Sequence, residues 1–408
     1  MFKERLKTHH SAMAEAARYT RGPRKVSEFL NVTLPDEAVS KKATIYIHVP
    51  FCSKICSFCN MRRSLQLPRE NYHTLLIEEM KAYKDLDYIK NLTFDAIYFG
   101  GGTPTTLNAE ALREVLRALR EYFNLSADVE ITIETTVTEL TDEKLQMFKE
   151  EGVTRFSVGV QTFNDEGRKL MGRIGSGETA YEKLKQMKDM GFKTLSMDLI
   201  YNYPGQTKED LEEDLDKIIA LELDGFSMYS LIDMKATTIE DAQDINQDTV
   251  FFDIISEKMK KAGYRFLELT KMVTRDQYKY VMNRHEGMDT LPLGAGAGGS
   301  VGGLMLMNAI NLDQYEESIK TFGERNGMLF SPAYRDLAIF KGTLQKGYLP
   351  EDISVYVDRV QYEKTLLEML EKGYVEKEGN SYHFTSKGIF WGNNISRLLY
   401  DMRVQEGE

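Results

Sequence analysis

The sequence predicts an α/β fold: an open, partial (β/α)6 barrel over residues 41–262. An arm over 1–40 precedes it, and a Gly/Met-rich extension over 263–335 and a winged-helix-like domain over 336–408 follow. Three observations carry this. From residue 44 to about 262, short β-rich runs alternate with longer helical ones, the signature of βα units on a parallel sheet. Only six such units can be counted, too few to close an eight-stranded barrel. The residues with chemical potential follow the C-terminal ends of the strands, where loops of such folds carry the site.

The elements follow in order. The arm is locally basic, with Lys3, Arg5, Lys7, Arg18, Arg21, Arg24 and Lys25. Glu4 and Glu15 interrupt what would be a transit-peptide pattern, so the arm reads as a tether or lid. Strands are predicted at Thr44–Val49, Asp95–Phe99, Val129–Thr135, Thr154–Val158, Lys193–Leu199 and Asp224–Leu231. Helices are predicted near 69–88, 108–123, 141–151, 178–190, 207–221 and 247–262, with Asn108, Thr141 and Thr207 as N-caps. The run from Pro292 to Gly303, Pro-Leu-Gly-Ala-Gly-Ala-Gly-Gly-Ser-Val-Gly-Gly, excludes a regular helix or strand and predicts a loop pressed against a ligand or another segment, with a flexible linker as the alternative. At the C-terminus, a helix around 358–372 stops at Gly373 and leads into a small hairpin, as in a winged-helix module.

Composition narrows the function. The 408 residues are 42% hydrophobic and 28% charged, with a formal net charge of −11. That balance argues against nucleic acid as the main partner. No apolar run approaches the roughly 20 residues of a membrane helix. A winged-helix regulator is disfavoured too, because Pro350–Phe390 carries eight acidic residues against five basic and would repel DNA.

All three cysteines, Cys52, Cys56 and Cys59, fall within eight residues directly after the first strand. Three thiolates at this spacing can hold three irons of a [4Fe-4S] cube and leave the fourth open to a small molecule. A structural zinc site would want a fourth ligand, for which His48 and His73 are the nearby candidates. An odd cysteine count without secreted-type spacing points to a reducing cytoplasm rather than disulfides. Gly100-Gly101-Gly102-Thr103-Pro104 leaves the second strand at the same end; the glycines suit either a tight turn or backbone donors facing a carboxylate. Glu134 closes the third strand. Asp198 sits near the end of the fifth in a mainly apolar run, where a carboxylate needs partners such as ribose hydroxyls.

Taken together, several segments resemble the radical S-adenosylmethionine (SAM) enzymes of the coproporphyrinogen III dehydrogenase superfamily. They are Tyr46-Ile-His-Val-Pro-Phe-Cys52, the cysteine loop with Phe58, Gly100–Thr105, Ser157–Phe163, Ser196–Thr207 and Phe384–Asn394. The resemblance runs over nearly the whole chain after residue 40. It implies a [4Fe-4S] cluster on Cys52, Cys56 and Cys59 and two molecules of SAM. Tyr46, Gly101 and Glu134 would contact the first; Phe58, Gly102, Thr103, Gln161, Arg173 and Asp198 would line the second. Gln161 and Arg173 also read as ordinary helix-end polar groups. At Glu134 the sequence departs from the family's usual Asn-Pro, with Thr135-Thr136-Val137 in its place.

A second departure selects among members. Coproporphyrinogen dehydrogenases resemble one another in a fourth cysteine two places past the cluster motif, where this chain has Asn60-Met61. The Gly-rich run looks most like the haem-utilisation branch, the anaerobilin synthase-like class C methyltransferases. The resemblance therefore implies an enzyme that methylates and opens haem anaerobically with iron release. A haem chaperone and an oxygen-independent coproporphyrinogen III dehydrogenase are the alternatives. Haem or a related porphyrin, and a flavodoxin or ferredoxin reductant, are the implied partners. Arg62, Arg63 and Arg284 are candidates for binding propionates, and His9, His10, His73, His285 and His383 are formal candidates for an iron ligand.

Overall fold

The computed structural model describes residues 1–7, 19–32, 41–59, 68–231, 245–350 and 357–402. Thirteen strands form one open sheet. They are β1 (Thr20–Lys25), β2 (Lys41–Val49), β3 (Leu92–Gly101), β4 (Leu125–Thr135), β5 (Arg155–Gln161), β6 (Thr194–Tyr201), β7 (Gly225–Ser230), β8 (Arg265–Glu268), β9 (Lys271–Val273), β10 (Asp289–Leu293), β11 (Gly298–Val301), β12 (Leu304–Met307) and β13 (Asn326–Phe330). Their order is β1-β13-β12-β11-β10-β2-β3-β4-β5-β6-β7-β9-β8. The strands β2 to β7 are parallel, and the six predicted ones lie within them to a few residues. Among the described residues the sheet does not close.

Residue period explains both faces. Ile45, Ile47, Ile97, Phe99, Ile131, Ile133, Phe156, Val158, Leu195, Met197 and Phe226 alternate along the strands and are buried in the main apolar core. Helices Tyr72–Lys84, Ala109–Tyr122, Asp142–Glu150, Gly177–Asp189, Lys208–Ala220 and Ile245–Lys261 match the six predicted. Asn108 and Thr141 cap theirs by accepting from Ala111 N and Lys144 N, and Thr207 forms a reciprocal capping box with Asp210. On the other face of the strands stand Tyr46, Tyr98, Thr132 and Arg155, in register with one another, and one step on Glu134, Ser157 and Ser196. A parallel sheet covered on both sides reads as continuous apolar runs; here the inner face carries polar side chains instead.

One expectation needs correction. The Gly-rich run is partly regular strand: Pro292 and Leu293 end β10, which pairs parallel to β2, and Gly298–Val301 forms β11. The glycines do not break the pairing because they sit where a side chain cannot. A Cβ at Gly299 would collide with the Thr290 carbonyl and lie 3.0 Å from the Pro292 ring. Only Gly294 and Gly296, with φ of +97° and +82°, make the turn between the two strands. Part of the arm joins the sheet, since β1 pairs antiparallel with β13. The first residues strap the two ends of the chain together. Arg5 binds Asp248 and Tyr201 and donates to Phe390 O, while Phe2 stacks on Trp391.

Near the C-terminus, β14 (Tyr348–Pro350), β15 (Val375–Glu378) and β16 (Ser381–Phe384) form a small antiparallel sheet in the order β14-β16-β15, beside helix Arg359–Glu371.

Candidate active site

The cysteine loop leaves β2 on the rim of the inner face. Cys52, Cys56 and Cys59 are half-buried thiols that no disulfide joins. The end of β3 clamps the loop's start: Gly102 N donates to Val49 O at 2.8 Å and Thr103 N to Phe51 O at 2.7 Å. Close approach explains the glycines. A Cβ at Gly100 would stand 2.7 Å from Glu134 Oε2, one at Gly101 2.6 Å from the His48 ring, and one at Gly102 would collide with Phe51 O. Gly101 also has φ +112°, which favours glycine.

Among the described residues, no three His, Cys, Asp or Glu side chains gather closely enough to chelate one metal ion. A single zinc draws its thiolates onto one tetrahedron. A cube whose irons each take one thiolate asks for sulfurs spread apart. Three half-buried thiols on one short loop, with hydrogen-bond donors beside two of them, fit the cluster. Thr103 Oγ1 lies 3.7 Å from Cys52 Sγ, and Arg173 Nη1 donates to Cys56 Sγ at 3.2 Å.

The positions expected to bind SAM fall into two groups. Tyr46, Gly101 and Glu134 are contiguous. Tyr46 Oη shares a 2.9 Å hydrogen bond with His48 Nδ1, and the Gly101 N–H points at the Glu134 carboxylate. Burial, with Asp198 facing it, pushes Glu134 up to about 8. The second group is spread wider: Gln161 and Asp198 lie on β5 and β6, Gly102 and Thr103 just past β3, and Phe58 and Arg173 on loops. Phe58 packs on Met171, Ile200, Tyr203 and Leu231. Gln161 is buried with φ +74°, an unusual conformation for its residue type, and Asn202 at the end of β6 has φ +60°. Burial also raises Asp198, against the pull of Lys271 and a hydrogen bond from Ser227.

Sequence reasoning missed what lies beneath these carboxylates. Arg155 and Lys271, both fully buried, meet on Asp276. Arg155 reaches it with two bonds of 2.9 and 2.8 Å, and Lys271 Nζ lies 3.2 Å from Oδ2 and 2.6 Å from Ser196 Oγ. Burial alone would raise Asp276, yet the two cations hold it well below the usual carboxylate range. Burial pulls Lys271 down. Lone charges inside apolar strands, in Arg155-Phe-Ser-Val-Gly-Val and Lys271-Met-Val, were the available signal.

Helix Lys279–His285 lays a wall of aromatic rings over this face. Tyr280 stacks on Tyr98 and Tyr46 at 4.8 and 5.9 Å between centroids, and the guanidinium of Arg284 sits 5.4 Å from the Tyr280 ring. His285 pairs with Glu268 at 3.0 Å. The remaining histidine candidates scatter. His73 pairs with Glu114 between two outer helices, and His383 lies in the C-terminal hairpin beside Glu378. His9, His10, Arg62 and Arg63 lie outside the described residues.

The chain is similar to known proteins along most of its length. The model of the radical SAM superfamily matches residues 46–218. Anaerobilin synthase of Escherichia coli O157:H7 is 30% identical over 92% of this chain and 86% of its own length. A haem chaperone of Lactococcus lactis is 29% identical over 89% of this chain and 99% of its own length. Among solved structures, coproporphyrinogen III oxidase from Escherichia coli superposes with a TM-score of 0.75 at 25% identity, covering 89% of this chain and 92% of that one.

Proposed function

The chain belongs to the radical SAM superfamily, in the group that holds anaerobilin synthase, the haem chaperones and coproporphyrinogen III oxidase; from that premise we propose that it is a class C radical methyltransferase that methylates and opens haem anaerobically, with release of iron. The observation that carries this reading is the inner face itself, where a wall of stacked tyrosines beside the cysteine loop is edged by Arg284. A planar macrocycle asks for a broad aromatic surface, and its propionates ask for a cation. The likeness to anaerobilin synthase and the absence of a cysteine at Met61 support the same choice.

In this reading Cys52, Cys56 and Cys59 hold the cluster. Tyr46, Gly101 and Glu134 bind the SAM that is cleaved. Phe58, Gly102, Thr103, Gln161, Arg173 and Asp198 bind the methyl donor. When bound, the cluster supplies one electron for reductive cleavage of a carbon–sulfur bond. The protein's part is to orient and to keep charges in place. Asp276 pairs with both Lys271 and Arg155, and the two cations, which outnumber it, favour the ionised form of Asp198, which can then accept hydrogen bonds from ribose hydroxyls. The extension over 263–335 contributes Lys271, Asp276 and Arg284 to the barrel's face, and so acts as part of the site. A flavodoxin or ferredoxin would supply the electron.

A haem chaperone is the second reading, favoured by the alignment that spans 99% of the Lactococcus lactis relative. Anaerobic reconstitution with haem, SAM and a low-potential reductant separates the two. The methyltransferase reading expects deoxyadenosine and S-adenosylhomocysteine together, loss of the Soret band and free iron. Haem bound unchanged through repeated turnover attempts supports the chaperone, and decarboxylation of coproporphyrinogen III supports the oxidase.

A further inference from the structure

Arg173 stands where no sulfur-binding cation was expected. Its Nη1 donates to Cys56 Sγ at 3.2 Å, its Nη2 donates to Gly159 O, and its Nε is buried with no hydrogen-bond partner among the described residues. The loop that carries it is stapled by Arg168, which is 1% exposed and spends its guanidinium on four backbone carbonyls: Val160, Thr162, Ile174 and Gly175. The Arg173 N–H itself bonds to Arg168 O at 2.8 Å. The same loop touches the cysteine loop a second time, where Ser57 N donates to Met171 O at 3.2 Å. A Cβ at Gly172 would stand 3.2 Å from Ser57 Oγ. The guanidinium is thus fixed against one particular thiolate.

We propose that Arg173 sets the reduction potential of the cluster through its N–H to Cys56 Sγ, with Arg168 as the residue that holds it there. The proposal rests on the reading that Cys52, Cys56 and Cys59 ligate a [4Fe-4S] centre. Reduction adds one electron and no proton to a centre that already carries anionic thiolates. A cation and a hydrogen bond at one sulfur stabilise the more negative, reduced form and raise the potential. The electron comes from a low-potential one-electron carrier of the flavodoxin or ferredoxin class, so a raised potential makes that transfer more favourable.

The test is an anaerobic redox titration of the reconstituted protein, followed by electron paramagnetic resonance, without substrate. R173Q removes the charge and R173K keeps it while losing the planar fork. We expect a more negative midpoint in R173Q and an intermediate one in R173K, at unchanged iron and sulfide content and circular dichroism. A midpoint in R173Q equal to the parent's overturns the proposal. If R173Q does not retain the cluster, R173K is read alone: a lowered midpoint supports the proposal and an unchanged one overturns it. Parent protein that takes up no cluster defeats the underlying reading of the cysteines instead, so the two failures are distinguishable.

Discussion

Two buried charge clusters lie on either side of the same sheet, and they are built to opposite rules. On the outer side, Glu79 is fully buried and fully used. Gly294 N, Asn308 Nδ2, Tyr315 Oη and Arg325 Nη1 all donate to it, at 2.8, 2.9, 2.6 and 2.5 Å. Those four donors tie helix Tyr72–Lys84 to the Gly-rich turn, to helix Leu312–Lys320 and to Arg325, just ahead of β13. On the inner side, Arg155, Lys271 and Asp276 make their own bonds, but the surroundings hold a surplus. Glu130 Oε1, Thr132 Oγ1 and Arg155 Nη1 are buried without hydrogen-bond partners among the described residues, and Glu134 and Asp198 are both raised mainly by burial. Buried polar groups are costly unless paired. A saturated cluster therefore holds the fold together, whereas one with acceptors to spare is poised for a ligand.

Six substitutions at four places can break or sharpen that contrast. The largest effect belongs to the cysteines: replacing Cys52, Cys56 or Cys59 by Ala abolishes the iron–sulfur absorbance and all SAM cleavage. The cluster-free protein should unfold within about 1 kcal/mol of the cluster-free parent, because half-exposed thiols contribute little packing. Next comes Glu79→Ala, which strands Arg325 in the interior and should cost roughly 3–5 kcal/mol in urea denaturation. A loss below about 1 kcal/mol would erase the distinction drawn between the two clusters.

Asp198→Ala should do the reverse, leaving stability nearly unchanged while slowing S-adenosylhomocysteine formation by about 10–100-fold, the worth of a hydrogen bond to a charged group. The cluster spectrum should survive, since the cysteines are untouched. The smallest effect is a pH dependence at Glu134. Its folded value, about 8, lies above the ordinary 4.5, so the stability this group contributes is full below about 4.5 and is lost as pH rises through about 8. Glu134→Gln stays neutral. In the cluster-free protein it should therefore gain on the parent by roughly 1–2 kcal/mol between pH 6 and 9, a figure discounted for the open inner face. Parallel stability curves for the two proteins would place Glu134 in water-like surroundings and count against burial as the cause of its shift.

The same contrast explains what could be read from the sequence. The alternation of strand and helix was legible because outward positions such as Ile97, Phe99 and Ile133 must be apolar to pack under helices. The rim was legible because cysteines and glycine triplets are rare enough to stand out. Lys271 and Asp276 were not, since a charge acquires meaning only from a partner brought in by folding: Arg155 and Asp276 are 121 residues apart. The strand character of Gly298–Val301 was hidden for a related reason. Glycine disfavours strands locally, and only the carbonyl of Thr290 lying above Gly299 shows why a side chain is forbidden there.

The most direct test of the central claim, that the inner face transfers a methyl group to haem, is the mass of the tetrapyrrole recovered after anaerobic turnover with SAM deuterated in its methyl group. The account predicts an iron-free, ring-opened product carrying a methyl group labelled with deuterium from SAM, formed by the parent and suppressed in Asp198→Ala. Recovery of unlabelled haem, or of a decarboxylated porphyrinogen from coproporphyrinogen III, would contradict it.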